Sequence, residues 1–148
     1  MDAVDRTLIA LLQEDATRSY AELGRAVHLS APAAHERVRK LRRTGVIRRT
    51  TVEVDPAALG RSLLAFVEID TRGWATEPLV DAVRRDPRVE DLHAIAGDTH
   101  FLAKVRVSDP GDLQDLLRDL YRVDAVLNTR TRVVLRTHVD RPPAPDAP

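Results

Sequence analysis

Apolar residues in the first fifty positions recur at helical spacing in three short blocks. Val4, Leu8, Leu11 and Leu12 follow the i, i+4, i+7, i+8 rule of one helix face, which predicts a first helix over about residues 4–14. A polar break over residues 17–19 follows. Ser19 stands as an N-cap with Glu22 three positions on, a capping box that opens a second helix whose Leu23, Ala26 and Val27 turn inward. His28 and Leu29 make the turn. Ser30 then caps a third helix, Pro32 sits in its first turn, and Gly45 ends a run from about 31 to 44. Beyond it, residues 46–54 alternate and are rich in β-branched side chains, the pattern of a two-stranded wing or of a strand leading away from the helices. Asp55, Pro56 and Gly60 punctuate a linker.

From residue 63 onward a period of two takes over. LLAFVEID (63–70) reads as a strand, and Thr76, Glu77 and Pro78 open a helix that runs through Val83 and stops near Asp86 and Pro87. VEDLHAIA (89–96) and HFLAKVRV (100–107) are strands joined through Gly97, Asp98 and Thr99, whose turn chemistry is that of a hairpin. Asp109 and Pro110 start a further helix in which Leu113, Leu116, Leu117, Leu120 and Tyr121 hold one face. TRTRVVLRTHV (129–139) is the last strand, and the proline-rich residues after it are expected to be disordered. The order βαββαβ predicts an α+β chain in which one antiparallel sheet carries both of its helices on one face. Leu64, Phe66, Leu92, Leu102 and Val134 are then assigned to the opposite face, an apolar patch that two copies would bury by packing sheet on sheet. A homodimer is therefore expected.

Composition narrows the function. The chain has no cysteine, which removes disulfides, thiol nucleophiles and thiolate metal sites. No apolar run approaches the length of a membrane span, and the N-terminus has acids where a secretory signal needs basic residues, so a cytoplasmic protein is expected. Net charge is zero, yet it is segregated. Arg37, Arg39, Lys40, Arg42, Arg43, Arg48 and Arg49 fall within thirteen residues that hold no acid. With Ala34, Val38 and Leu41 facing the core, the helical wheel puts Pro32, Glu36, Arg39, Lys40 and Arg43 outward, toward a DNA major groove if the helices form a helix-turn-helix. Ser30 begins that helix, and Ala31, Pro32 and Ala33 offer methyl contacts near base edges. Arg39 and Arg43 suit guanine or phosphate, whereas Arg37, Lys40, Arg48 and Arg49 suit phosphate. A solvated basic face is the plainer alternative.

The segment VDRTLIALLQEDATRSYAELGRAVHLSAPAAHERVRKLRRTGVIRRTTVEVDP resembles the N-terminal domain of the Lrp/AsnC regulators, HAIAGDTHFLAKVRV resembles that family's glycine-aspartate hairpin, and NTRTRVVL its last strand. The resemblance implies a winged helix-turn-helix at residues 1–54, a linker at 55–62, a ferredoxin-like effector-binding and dimerisation domain at 63–139 and a disordered tail at 140–148. It further implies a transcriptional regulator of double-stranded DNA, assembled as a homodimer or a tetramer of dimers, whose effector is a free amino acid and which needs no cofactor. By the same resemblance Gly97, Asp98, Thr99 and His100 are candidate effector contacts, with Val107 to Pro110, Thr129, and Thr131 through Val134 near the pocket or its response; His100 and Arg132 stand where family members vary, so the effector's identity is not carried over. A glycine turn exposes backbone N–H groups to a carboxylate and Asp98 suits an ammonium, although Gly-Asp is also ordinary hairpin chemistry.

Two other function classes compete with this reading. An enzyme has raw material in five histidines, but none is at metal-ligand spacing on one helix, and no phosphate loop or nucleophile elbow is present; neither catalytic nor metal residues are assigned. A small-molecule-binding module acting on a protein partner leaves the basic run unexplained.

Overall fold

Each helix of the N-terminal region starts where its capping residues stand. In a computed structural model, which describes residues 1–73 and 77–145, α1 (Ala3–Glu14) is opened by Asp2, whose carboxylate accepts the Asp5 N–H at 2.8 Å while Asp5 accepts the Asp2 N–H at 3.2 Å. Ser19 and Glu22 make the same reciprocal pair for α2 (Tyr20–Ala26), and Ser30 caps α3 (Ala31–Arg43). Such caps contribute roughly 1 kcal/mol each. Leu8, Leu23, Ala34 and Val38 meet in a small core ringed by Val4, Leu11, Leu12, Tyr20, Val27 and Ile47. The turn between α2 and α3 is tight because Gly24 lets the backbone close in: its carbonyl accepts the Leu29 N–H at 2.8 Å, and a Cβ there would sit 2.6 Å from the Leu29 carbonyl oxygen. Arg37 then fastens α3 to the start of α1, donating to Asp2 at 2.7 Å and Asp5 at 2.8 Å.

The expected wing is not formed. Residues 46–54 pair with no strand among the described residues; Ile47 N–H reaches back to the Leu41 carbonyl, and Val52 is 79 % exposed. β-branched alternation favours extended backbone but supplies no partner, and an extended segment becomes a strand only when its N–H and C=O groups are paired. The tail also departs from expectation. From Val139 it groups with the N-terminal unit (residues 1–53), with Pro143 and Pro145 carbonyls accepting from Gln13 and Arg6 of α1; residues 146–148 lie outside the described residues.

The second unit, Val54–His138, is the four-stranded sheet with its two helices. Its elements are β1 (Leu63–Thr71), α4 (Glu77–Arg85), β2 (Val89–Ala94), β3 (Phe101–Val107), α5 (Pro110–Tyr121) and β4 (Val126–Val133). Thr76, expected to open α4, lies outside the described residues. Strand order is β2-β3-β1-β4, antiparallel throughout, so each βαβ crossover skips one strand. The alternation is strict in the central strands. Ala65, Val67, Ile69, Phe101, Ala103, Val105 and Val107 are buried against Leu79 and Val83 of α4 and Leu113, Leu116 and Leu120 of α5.

The opposite face holds Leu64, Phe66, Leu102 and Val134, as expected, but not Leu92. A bulge between Val89 and Asp91 places Leu92 across from Ala103, on the helix-covered side, where it packs on the core. One extra residue turns the later side chains of an edge strand over. Arg88, at the entry to β2, binds Asp86 at 2.6 Å, Asp119 at 2.7 Å and Asp112 at 3.3 Å, tying the strand to α5. At the other edge Tyr121 of α5 reaches β4, where its hydroxyl oxygen accepts the Thr129 N–H at 3.0 Å.

Gly24→Ala should therefore destabilise the helical unit by about 1–3 kcal/mol, because the added methyl meets backbone that cannot yield locally. Urea unfolding followed on α1–α3 amides checks this; an unchanged midpoint would mean the turn is looser than described.

Candidate functional site

Two surfaces gather the candidate residues, one on each unit. On α3 the buried Ala34, Val38 and Leu41 orient the helix, so Pro32, Glu36, Arg39, Lys40 and Arg43 are exposed together, with Ser30 at the helix start and Ala33 half-buried beside it. Arg48 and Arg49 are exposed on the segment that follows. Two of the cations already have partners. Arg37 is held by Asp2 and Asp5, which makes it a brace of the helical unit more than a phosphate ligand, and Arg39 is paired with Glu36 at 3.2 Å. Among the described residues Lys40, Arg42, Arg43, Arg48 and Arg49 have no carboxylate within ion-pair distance, a concentration of positive charge suited to a polyanion. Tyr20 supports the surface from behind, with its ring 4.6 Å from that of His35 and its hydroxyl 3.5 Å from Arg42.

The second surface is a concavity of about 430 Å³ where the β2–β3 hairpin overhangs the open face of the sheet. Gly97, Asp98 and Thr99 line one side. Gly97 has φ 139°, backbone that favours glycine, and the Thr99 hydroxyl is buried without a hydrogen-bond partner. Glu68, Arg130 and Arg132 form the other side: Glu68 accepts from Arg130 at 2.9 Å and from Arg132 at 2.8 Å. Those two guanidinium groups hold the Glu68 carboxyl below the ordinary glutamate range, Arg130 contributing most. The pocket wall is thus a pre-formed set of opposite charges around the apolar Ile95, Ala96 and Leu102.

The other candidates lie elsewhere. His100 turns away from this wall; its Nδ1 accepts the Thr71 N–H at 3.0 Å, extending the β1–β3 ladder by one bond. Thr129 and Thr131 lie across from Ile69 and Val67 on the helix-covered side, so the residues that alternate with them, Arg130 and Arg132, take their place in the pocket. Val107 is fully buried in the core, and Val134 is bonded through its N–H to the Leu64 carbonyl on the apolar part of the open face. Glu68 and Arg130 are residues that sequence reasoning missed, whereas Arg132 falls within the 131–134 stretch it placed near the pocket. An acid on β1 in phase with Leu64 and Phe66, faced by two arginines at alternate positions of β4, is the signal that would have found them. Among the described residues no helix is long and apolar enough to cross a membrane.

Comparison with known proteins bears on both surfaces. The model of the AsnC-type helix-turn-helix domain matches residues 1–42, and that of the Lrp/AsnC ligand binding domain matches residues 64–144. The leucine-responsive regulatory protein of Escherichia coli is 37 % identical over 139 residues, covering 91 % of this chain and 85 % of that protein. Among solved structures, Escherichia coli AsnC superposes with a TM-score of 0.90 at 25 % identity, covering 97 % of this chain and 98 % of that one. The fold is likewise that of the regulator NMB0573 of Neisseria meningitidis solved with L-Met, with a TM-score of 0.90 at 24 % identity and coverage of 95 % and 94 %.

The Arg37 brace has a definite pH signature. Its hydrogen bond holds the Asp2 carboxyl below the usual aspartate value of 3.8, so the stabilisation is complete above that value and is lost as pH falls through the lower folded one. Arg37→Ala should cost stability at neutral pH, with the gap to the parent closing in acid. Unfolding midpoints measured from pH 7 to pH 2 check this; a gap that persists in acid would assign the cost to packing alone.

Proposed function

The chain belongs to the Lrp/AsnC family of DNA-binding transcriptional regulators, and on that premise we propose that α3 reads the major groove while the hairpin pocket takes a free α-amino acid that controls binding. The observation that carries the first half is the row of exposed cations on and after α3. Arg39 and Arg43 are assigned to base edges or phosphate, Lys40, Arg48 and Arg49 to phosphate, and Ser30, Pro32 and Ala33 to close approach at the helix start. Glu36, paired to Arg39, sets where that guanidinium points. Arg39→Gln and Arg43→Gln should each weaken duplex binding and lower the slope of log affinity against log salt by about 1. Fluorescence anisotropy over a salt series reads both quantities; unchanged slopes would remove these residues from the interface.

The second half follows from the charges of the pocket. A zwitterion would set its carboxylate against Arg130, Arg132 and the Gly97 turn, and its ammonium against Asp98 and Glu68, leaving its side chain for Ile95, Ala96 and Leu102. The name of the leucine-responsive relative and the L-Met complex of the Neisseria protein support an amino acid as the class. The Leu64, Phe66, Leu102 and Val134 face supports a homodimer packed sheet to sheet, while work on DNA supports a cytoplasmic location and the family resemblance a tetramer of dimers. No cofactor takes part in this scheme. A thermal-shift screen against the twenty amino acids tests the pocket: a ligand at one hundred times its Kd adds about 2.7 kcal/mol. One chemical subset should stabilise the parent and fail to stabilise Asp98→Ala; stabilisation that survives in Asp98→Ala and in Arg132→Ala would place the effector elsewhere.

A further inference from the structure

The helical unit carries a groove whose rim includes Arg42, Arg48 and Arg49 of the basic surface. It lies between α1 and the chain just after α3, with a volume of about 350 Å³, and its floor is apolar: Ile9, Leu12, Ala16, Val46 and Ile47. Pro142 of the tail forms part of its wall, so the tail borders the groove where it reaches α1. Farther along, the Pro143 carbonyl accepts from Gln13 Nε2 at 3.0 Å and the Pro145 carbonyl from Arg6 Nη1 at 2.6 Å. The tail therefore runs antiparallel to α1. Its chemistry matches what α1 presents. Pro142, Pro143 and Pro145 lack N–H groups, so the segment is pre-extended and offers chiefly acceptors, while Arg6 and Gln13 offer donors.

We propose that Arg141–Pro145 is a built-in ligand of the helical unit, a strap that docks on α1 and holds it against α3. The need for such a brace is visible in the core, where Leu8, Leu23, Ala34 and Val38 are the buried cluster of a unit of some fifty residues, while Leu12 and Ile9 are left partly exposed on α1. Units this small are marginal on burial alone. The strap acts on the recognition helix through a short relay: Arg6, which holds Pro145, lies one residue from Asp5, and Asp5 with Asp2 holds Arg37 of α3. The same strap continues from β4, the strand that carries Arg130 and Arg132. If the effector reading above holds, one wall of the pocket and the α1 brace lie on the same chain segment, joined by residues 134–140. The docking itself depends on neither DNA nor effector.

Hydrogen exchange measured by mass spectrometry on the intact chain tests this without DNA or ligand. Two variants are compared with the parent: a stop after His138, and the double substitution Arg6→Ala with Gln13→Ala, which leaves the tail in place. Both should speed exchange of α1 amides about fivefold or more while β1 and β3 amides stay at parental rates. Parental α1 rates in both variants overturn the proposal, as does equal acceleration in β1 and β3. Protection of α1 that falls with dilution of the parent would assign the strap to a second copy and overturn the intramolecular form.

Discussion

The alternation of β1 and β3 is the constraint on which the rest of the second unit depends. Once Ala65, Val67 and Ile69 are buried under α4 and α5 with Phe101, Ala103 and Val105, every intervening residue must face the other way. That forced side receives Glu68 from β1 and, through the antiparallel register, Arg130 and Arg132 from β4. The hairpin after β2 then overhangs these charges because β3 pairs with β1 and ends there, His100 closing the ladder on Thr71. A pocket with fixed charges follows from packing, with no loop dedicated to building it. The apolar end of the same face, Leu64 and Phe66, is displaced along β1 by only a few residues, so the charged concavity and the apolar patch share one surface.

The helical unit obeys a different rule, one of capping and charge. Its core is small, and carboxylates in the first turn of α1 do two jobs, closing the helix end and gripping Arg37. Acid near a helix N-terminus is favourable on its own account. Here it also removes one cation from the basic run and turns it into a structural tie, which leaves the unpaired arginines to define the electrostatic surface.

Much of this was legible in the residues. The capping box at Ser19, the Ser30 cap, the α5 stripe of leucines and the Gly-Asp turn are local signals, and each element sits where those signals put it. What escaped is what depends on partners distant in sequence. Whether Thr129 or Arg130 faces the pocket is decided by pairing with Glu68 and Ile69, some sixty residues earlier, and one bulge at Glu90 was enough to turn Leu92 over. Arg37 looked like its neighbours until Asp2 and Asp5 were placed beside it. The unpaired 46–54 segment and the docked tail fail in the same way: β-branched or proline-rich composition specifies an extended chain but not what that chain will lie against.

Tyr121 has a consequence beyond its own hydrogen bonds. An edge strand with open N–H groups is a template on which any other extended chain can grow, and β4 bears Leu127, half exposed, along such an edge. By occupying the Thr129 N–H from the side, the phenol interrupts that row of donors at its midpoint. Strand addition along this edge is thereby discouraged, a protection against edge-to-edge aggregation that rests on a single hydroxyl group.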